Sequence, residues 1–198
     1  WKNSRSIILF EPVFNTDAIV LKKTLIRDNK GLCELFTKDF WKVTVWITES
    51  KLKTPIDIGG IIQAQIKVEW KKNTLQWYKI KRSIQYETLD YAGLKNILSI
   101  VTLIHKTLPE GVTNAAILED YITCLPYLES NESNRLATCI FELKHTKHLG
   151  IAESLDEYSE TIQKTFQIID RTKIIQFLEE KRMLAHLDEM QAYTGKCL

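Results

Sequence analysis

Near residue 88 the chain changes its repeat. Before that point apolar residues tend to recur at every second position, and after it at intervals of three and four. A strand buries alternate side chains and a helix buries a stripe, so one pattern cannot serve both. The chain therefore has to build a β part and then an α part. Charge changes at the same place. Residues 1–88 hold 16 Lys+Arg against 9 Asp+Glu, a net of +7, and residues 89–198 hold 11 against 16, a net of −5. All five tryptophans (Trp1, Trp41, Trp46, Trp70 and Trp77) lie in the first part. We therefore place a domain boundary there, dividing the chain into residues 1–88 and 89–198.

The first part reads as five or six short strands. "SIILFEPV" and "AIVLKKTLI" are rich in β-branched residues, with the turn-like "FNTD" between them. "GLCELFTK" follows the turn chemistry of "RDNKG". In "KVTVWITE", Val43, Val45 and Ile47 alternate with Lys42, Thr44, Trp46 and Thr48. In "IIQAQIKVEW", Ile62, Ala64, Ile66, Val68 and Trp70 face one way, and Gln63, Gln65, Lys67 and Glu69 the other. "KKNT" is a hairpin connection to the return strand "LQWYKIKRSIQYE". A small closed β-barrel suits so many short strands, because closure removes exposed edges. The second part gives four or five amphipathic helices. Among their signals are a stop at Pro109, another at Gly150, and a capping-box pattern from Ser154 to Glu157.

Catalytic signatures are missing from the sequence. It has no G-x-S-x-G, no Gly-rich phosphate loop and no H-E-x-x-H, and only seven glycines in all. The four cysteines (Cys33, Cys124, Cys139 and Cys197) have no C-x-x-C spacing and read as reduced thiols of a cytosolic protein. His145 and His148, with Cys139 two turns earlier, lack further ligands and read as a partly exposed helix face. The acidic pairs Glu119/Asp120, Asp156/Glu157 and Glu179/Glu180 read as solvated helix surface. No enzyme activity, cofactor or metal is expected. No apolar run approaches the roughly 20 residues that span a bilayer.

The informative cluster is basic and aromatic. Lys42 and Trp46 share one strand face, Gln63, Gln65 and Lys67 another, and Trp77, Lys79 and Lys81 a third, with Arg82 next along the chain. Loops add Lys51 and Lys53, Lys71 and Lys72, and Arg27 and Lys30. Lysines neutralise phosphates, and tryptophans offer bases a stacking surface, so the mixture suits single-stranded nucleic acid. Trp41 and Trp70, in or beside apolar runs, read as core. The competing reading is a barrel with a basic exterior and all its tryptophans inside, and lysine is in any case a common protector of sheet edges.

The order of motifs resembles the bacterial recombination mediator family RecO. "AIVLKKTLIRDNKGLCELFTKDFWKVTVWITESKLKTP" looks like that family's opening strands. "IGGIIQAQIKVEWKKNTLQWYKIKRSIQYE" is similar to the close of its oligonucleotide-binding (OB) barrel, and "LPEG" and "FELKHTKHLGI" resemble parts of its helical domain. The resemblance implies an α+β chain, with an N-terminal five- to six-stranded OB-type β-barrel followed by an all-α helical domain. It also implies a cytoplasmic, non-enzymatic DNA-repair mediator. Such a protein binds single- and double-stranded DNA, anneals strands, engages single-strand-binding protein, and with RecR helps RecA to load. The DNA-binding candidates are Lys42, Trp46, Lys51, Lys53, Lys67, Lys71, Lys72, Trp77, Lys79, Lys81 and Arg82. Lys106, Arg135, Lys144 and Lys147 are the local basic candidates for a partner groove. This chain departs from the family in three ways. It has no cysteine between Cys139 and Cys197, so a structural zinc is not implied. The basic loop is thinned to "SKLK", and Trp41 stands where a glycine is usual. The alternative is a protein–protein adaptor whose OB-type barrel no longer binds nucleic acid.

Overall fold

In the computed structural model the described residues are 12–27, 30–48, 55–69, 72–109, 111–130, 134–151 and 187–197, with residues 160, 163 and 164. Alternation does build strands: β1 (Val13–Leu25), β2 (Lys30–Thr37), β3 (Lys42–Thr48), β4 (Ile61–Glu69) and β5 (Lys72–Arg82). They close into a barrel in the order β1-β2-β3-β5-β4, antiparallel except for a short parallel contact of β3 with β5. Ladder partners lead from Val13 through Lys67, Thr74, Trp46 and Leu32 back to β1 at Thr24, so the strands are staggered as a closed barrel requires. The interior holds Ala18, Val20, Cys33, Leu35, Val43, Val45, Ile47, Ile62, Ala64 and Ile66.

One expected turn is strand instead. "FNTD" lies inside β1, where Phe14, Asn15, Thr16 and Asp17 pair with Ile66, Gln65, Ala64 and Gln63. Turn-prone residues are tolerated there because Asn15 and Asp17 face outward, while buried Thr16 donates its hydroxyl to Asp39 at 2.9 Å. The preceding "SIILF" lies outside the described residues.

Among the described residues four long helices follow in chain order: α1 (Tyr91–Thr107), α2 (Ala115–Leu128), α3 (Asn134–His148) and α4 (Leu187–Cys197). Asp90 caps α1, its Oδ1 accepting from the Gly93 N–H at 2.7 Å. Behind α3 the chain turns at Gly150, with φ +68, the left-handed position that glycine fills without strain. The pattern from Ser154 to Glu157 falls outside the described residues.

The helices sit on one outward-facing row of the barrel. The ladders align Lys42, Phe36, Ile19, Ile61 and Arg82 across β3, β2, β1, β4 and β5. Its middle is apolar, and Phe36, Ile19 and Ile61 join one continuous core with Ile97, Val101, Ile104, Leu118, Tyr121 and Phe141. Burying each such side chain is worth about 2 kcal/mol. The Tyr121 hydroxyl, wholly buried, donates to the Gly59 carbonyl at 2.8 Å. Barrel and helices are therefore joined by core rather than by a wet contact.

Candidate nucleic-acid interface

One extra residue sets the outer face of β5. A strict two-residue period would place Leu75 and Trp77 together. The ladder instead pairs Leu75 with Ile66 and Trp77 with Gln65, leaving Gln76 as a bulge. Leu75 then packs on the barrel interior with Tyr78 and Ile80. Trp77 turns out, 50% exposed, with Lys79 and Lys81 exposed on the same side.

Register widens this face into a band. Trp77 lies opposite Gln65, which lies opposite Asn15; Lys79 lies opposite Gln63, which lies opposite Asp17. Thr74 connects Lys67 of β4 to Trp46 of β3, which is 37% exposed. Trp46 and Trp77, far apart in sequence, thus belong to one outer surface. Asn15 and Thr74 escaped the sequence reading. Asn15 falls in a segment read as a turn, and Thr74 gains its place only through the β3–β5 contact.

Most cations of the band already have partners. The Lys81 ammonium is 2.7 Å from Asp17, and Lys67 is 2.9 Å from Glu69. Hydrogen bonding from Lys67 holds the Glu69 carboxyl below its usual range, and Lys72 lies 4.0 Å from the same group. Such exposed pairs contribute little and exchange readily for another anion. Lys79, exposed beside Trp77, makes no ion pair among the described residues. Arg27 and Lys30 are exposed at the turn between β1 and β2. Lys51, Lys53, Lys71 and Trp70 lie outside the described residues.

Two candidates are engaged by the helices. Lys42 donates to the His105 carbonyl in the last turn of α1 at 3.0 Å, and Arg82 is ion-paired with Glu129 at the end of α2. They are the two cationic ends of the row on which the helices sit. Period alone put Lys42 beside Trp46, but the helices cover only the Lys42 end of β3. Trp41 corrects a different expectation: it is 47% exposed rather than core. Phe40, partly buried, packs against Phe14, ring centroids 4.3 Å apart, and Trp41 stands edge-on to Phe40 at 6.3 Å. The turn is held by the Thr37 hydroxyl, which accepts from the Phe40 N–H and donates to the Trp41 carbonyl.

In the helical part, Lys106 is exposed near the end of α1. Arg135 binds Asp188 and Gln191, tying α3 to α4. Lys147 is partly exposed and has an interaction of its own. Lys144 is not open surface: it lies 2.8 Å from Asp120, which also meets His148 at 2.8 Å. Asp120 is consequently buried rather than solvated, and its neighbour Glu119 pairs with Lys38 of the barrel at 3.0 Å, raising the lysine's pKa. His145 is core as well. Its Nε2 is 2.6 Å from the Thr107 hydroxyl, and its ring stacks on Phe141 with centroids 5.7 Å apart. The Thr107 hydroxyl donates to the Leu103 carbonyl, so His145 Nε2–H is the donor and buried Nδ1 is left without a partner among the described residues. Burial, and secondarily the charge of His148, push this imidazole down to about 4. No group of three His, Cys, Asp or Glu among the described residues is placed to hold a metal. Burial raises the thiol pKa values of Cys33, Cys124 and Cys139, which are free.

The fold class is thus an OB-type β domain carrying a helical domain on its outer wall. Residues 89–173 match the family described as Recombination protein O C terminal. The helical part of the chain is thus similar to the RecO family's C-terminal domain, which supports a general role in recombination and repair. Compared with the curated proteins, the chain has no match. No helix among the described residues is long and apolar enough to cross a membrane.

Proposed function

We infer that the chain is a non-enzymatic DNA-repair mediator whose barrel, within residues 1–88, binds DNA along the outer band of β3, β5 and β4. The observation that carries this reading is half-exposed Trp77 beside Lys79, which has no ion pair among the described residues. A stacking ring next to a cation meets both the base and the phosphate of one nucleotide. Trp46, Lys67 and Lys81 extend the band on either side, Lys67 and Lys81 by exchanging a carboxylate for a phosphate. Lys72, with Lys51, Lys53 and Lys71 of the loops, would add to the same field. The helical domain, within residues 89–198, would engage partners, with exposed Lys106 the most available of the basic candidates. As in the family it resembles, this role would include annealing complementary strands and helping, with RecR, to load the recombinase on strands coated with single-strand-binding protein. The setting would be the bacterial cytoplasm at the nucleoid.

The test is titration of the tryptophan emission with a short single-stranded oligonucleotide at two salt concentrations. All five tryptophans lie in the first part, so the signal reports on the barrel. Quenching that weakens steeply with salt is expected; no binding at low salt, by this and an independent assay, would refute it. A second reading has its own support. Lys42 and Arg82 are tied to the helices, and Lys81 and Lys67 to carboxylates, which leaves a thin basic surface suited to an adaptor. A partner whose binding ignores salt would favour that reading.

A further inference from the structure

Gln65 stands directly across the ladder from Trp77 on the same outer face, and Asn15 stands directly across from Gln65 on the other side. The Gln65 Nε2 donates to the Asn15 Oδ1 at 3.2 Å. A side-chain amide that turns its nitrogen toward one neighbouring strand turns its carbonyl oxygen toward the other. The Gln65 Oε1, without a hydrogen-bond partner among the described residues, is thereby left as an acceptor on the Trp77 side.

Stacking alone accepts any base, because every base has a π-face. A base laid on Trp77 also brings its edge over Gln65, one strand spacing away. There the chemistry divides. Cytosine and adenine present an exocyclic amine, which donates; at the same place thymine presents O4, an acceptor facing another acceptor, and its only donor, N3–H, lies one ring position away. We propose that Gln65, held in place by Asn15, gives this surface a preference for amino-bearing bases over thymine. The inference rests on the nucleic-acid reading above and adds to it a base preference. Lys79 contacts the neighbouring phosphate whatever the base, so affinity and preference reside in different residues.

The test uses the full chain with labelled cytosine and thymine oligonucleotides of about 12 nucleotides, within the site size of an OB barrel. Anisotropy is read at mildly alkaline pH, where cytosine is unprotonated. The readout is the ratio of the two Kd values, compared between the wild type and Gln65→Met, so that differences in strand stiffness cancel. In Gln65→Met the ratio is expected to shift about fivefold toward thymine, the scale of one hydrogen bond. Asn15→Ala, which frees the amide to turn, should shift it the same way. An unchanged ratio in Gln65→Met, with both strands still bound, overturns the base preference and leaves the nucleic-acid reading standing. Failure of the wild type to bind either strand overturns both.

Discussion

Arg82, the last residue of β5, is ion-paired with Glu129, the residue that ends α2. At the opposite end of the same row, Lys42 donates to the His105 carbonyl of α1, and His105 Nε2 in turn meets Glu34 of β2 at 2.7 Å. Between these two clamps lie Phe36, Ile19 and Ile61, buried against the helices. The polar ends fix the azimuth of the helical domain on the barrel, and the apolar middle provides most of the attraction, since partly exposed ion pairs are weak. A seam of this kind resists relative domain motion better than the polar contacts usual between domains.

Arg82→Ala should therefore lower stability by about 1 kcal/mol and leave oligonucleotide affinity within about twofold. Urea unfolding and a parallel titration check both halves. A large loss of affinity with stability unchanged would return Arg82 to the DNA face.

Lys79→Ala and Trp77→Ala should separate the two kinds of contact. Removing the Lys79 ammonium should reduce the slope of log K against log salt by about one. Removing the ring should weaken binding by about 1–3 kcal/mol with the slope unchanged. Titrations at several salt concentrations distinguish these outcomes.

Tyr121→Phe deletes the buried hydroxyl and strands the Gly59 carbonyl, which should cost about 1–3 kcal/mol. Gly59→Ala should be worse. Its φ is +80, and an added Cβ would stand 3.0 Å from the Tyr121 hydroxyl and 3.1 Å from Ile97. Tryptophan fluorescence, which reports the barrel, and far-ultraviolet dichroism, weighted to the helices, should show one coincident unfolding transition in both variants. Two separate transitions would mean that the shared core does not couple the two parts.

Acid should destabilise the protein through His145. Its folded pKa is about 4 against an ordinary 6.5, so between these values the unfolded chain binds more protons. Stability is therefore full above about pH 6.5 and falls as pH drops toward 4, by up to about 3 kcal/mol in the limit. Glu142 is shifted up by burial, which acts in the opposite sense, but it is common to wild type and variant. In His145→Leu the fall in urea stability between about pH 7 and about pH 4.5 should shrink by about 2 kcal/mol. An identical fall in both proteins would mean that His145 takes up its proton without cost.

Periodicity made the two halves of the fold legible, because burial of alternate residues or of a stripe leaves its mark directly in the chain. β3 and β4 follow their predicted faces residue by residue, from Val43–Val45–Ile47 to Ile62–Ala64–Ile66. The exposed faces of Trp46 and Trp77 were legible for the same reason. Trp41 was not, because a single position in a turn has no period; which of two adjacent rings is the better covered depends on Phe14, far away in sequence.

The sequence by itself determined that a basic, tryptophan-bearing β-barrel precedes a helical domain, and that Trp77, Lys79 and Lys81 share a face. Those properties depend on local chemistry and on the repeat of the backbone, both of which travel with the chain. Only the tertiary structure decided which cations remain available. Lys42, Arg82 and Lys144 look like surface lysines and arginines in sequence, but their partners His105, Glu129 and Asp120 arrive from distant segments. Register likewise placed Asn15 and Gln65 beside Trp77. A ladder pairing is a relation between strands, and no single strand encodes it.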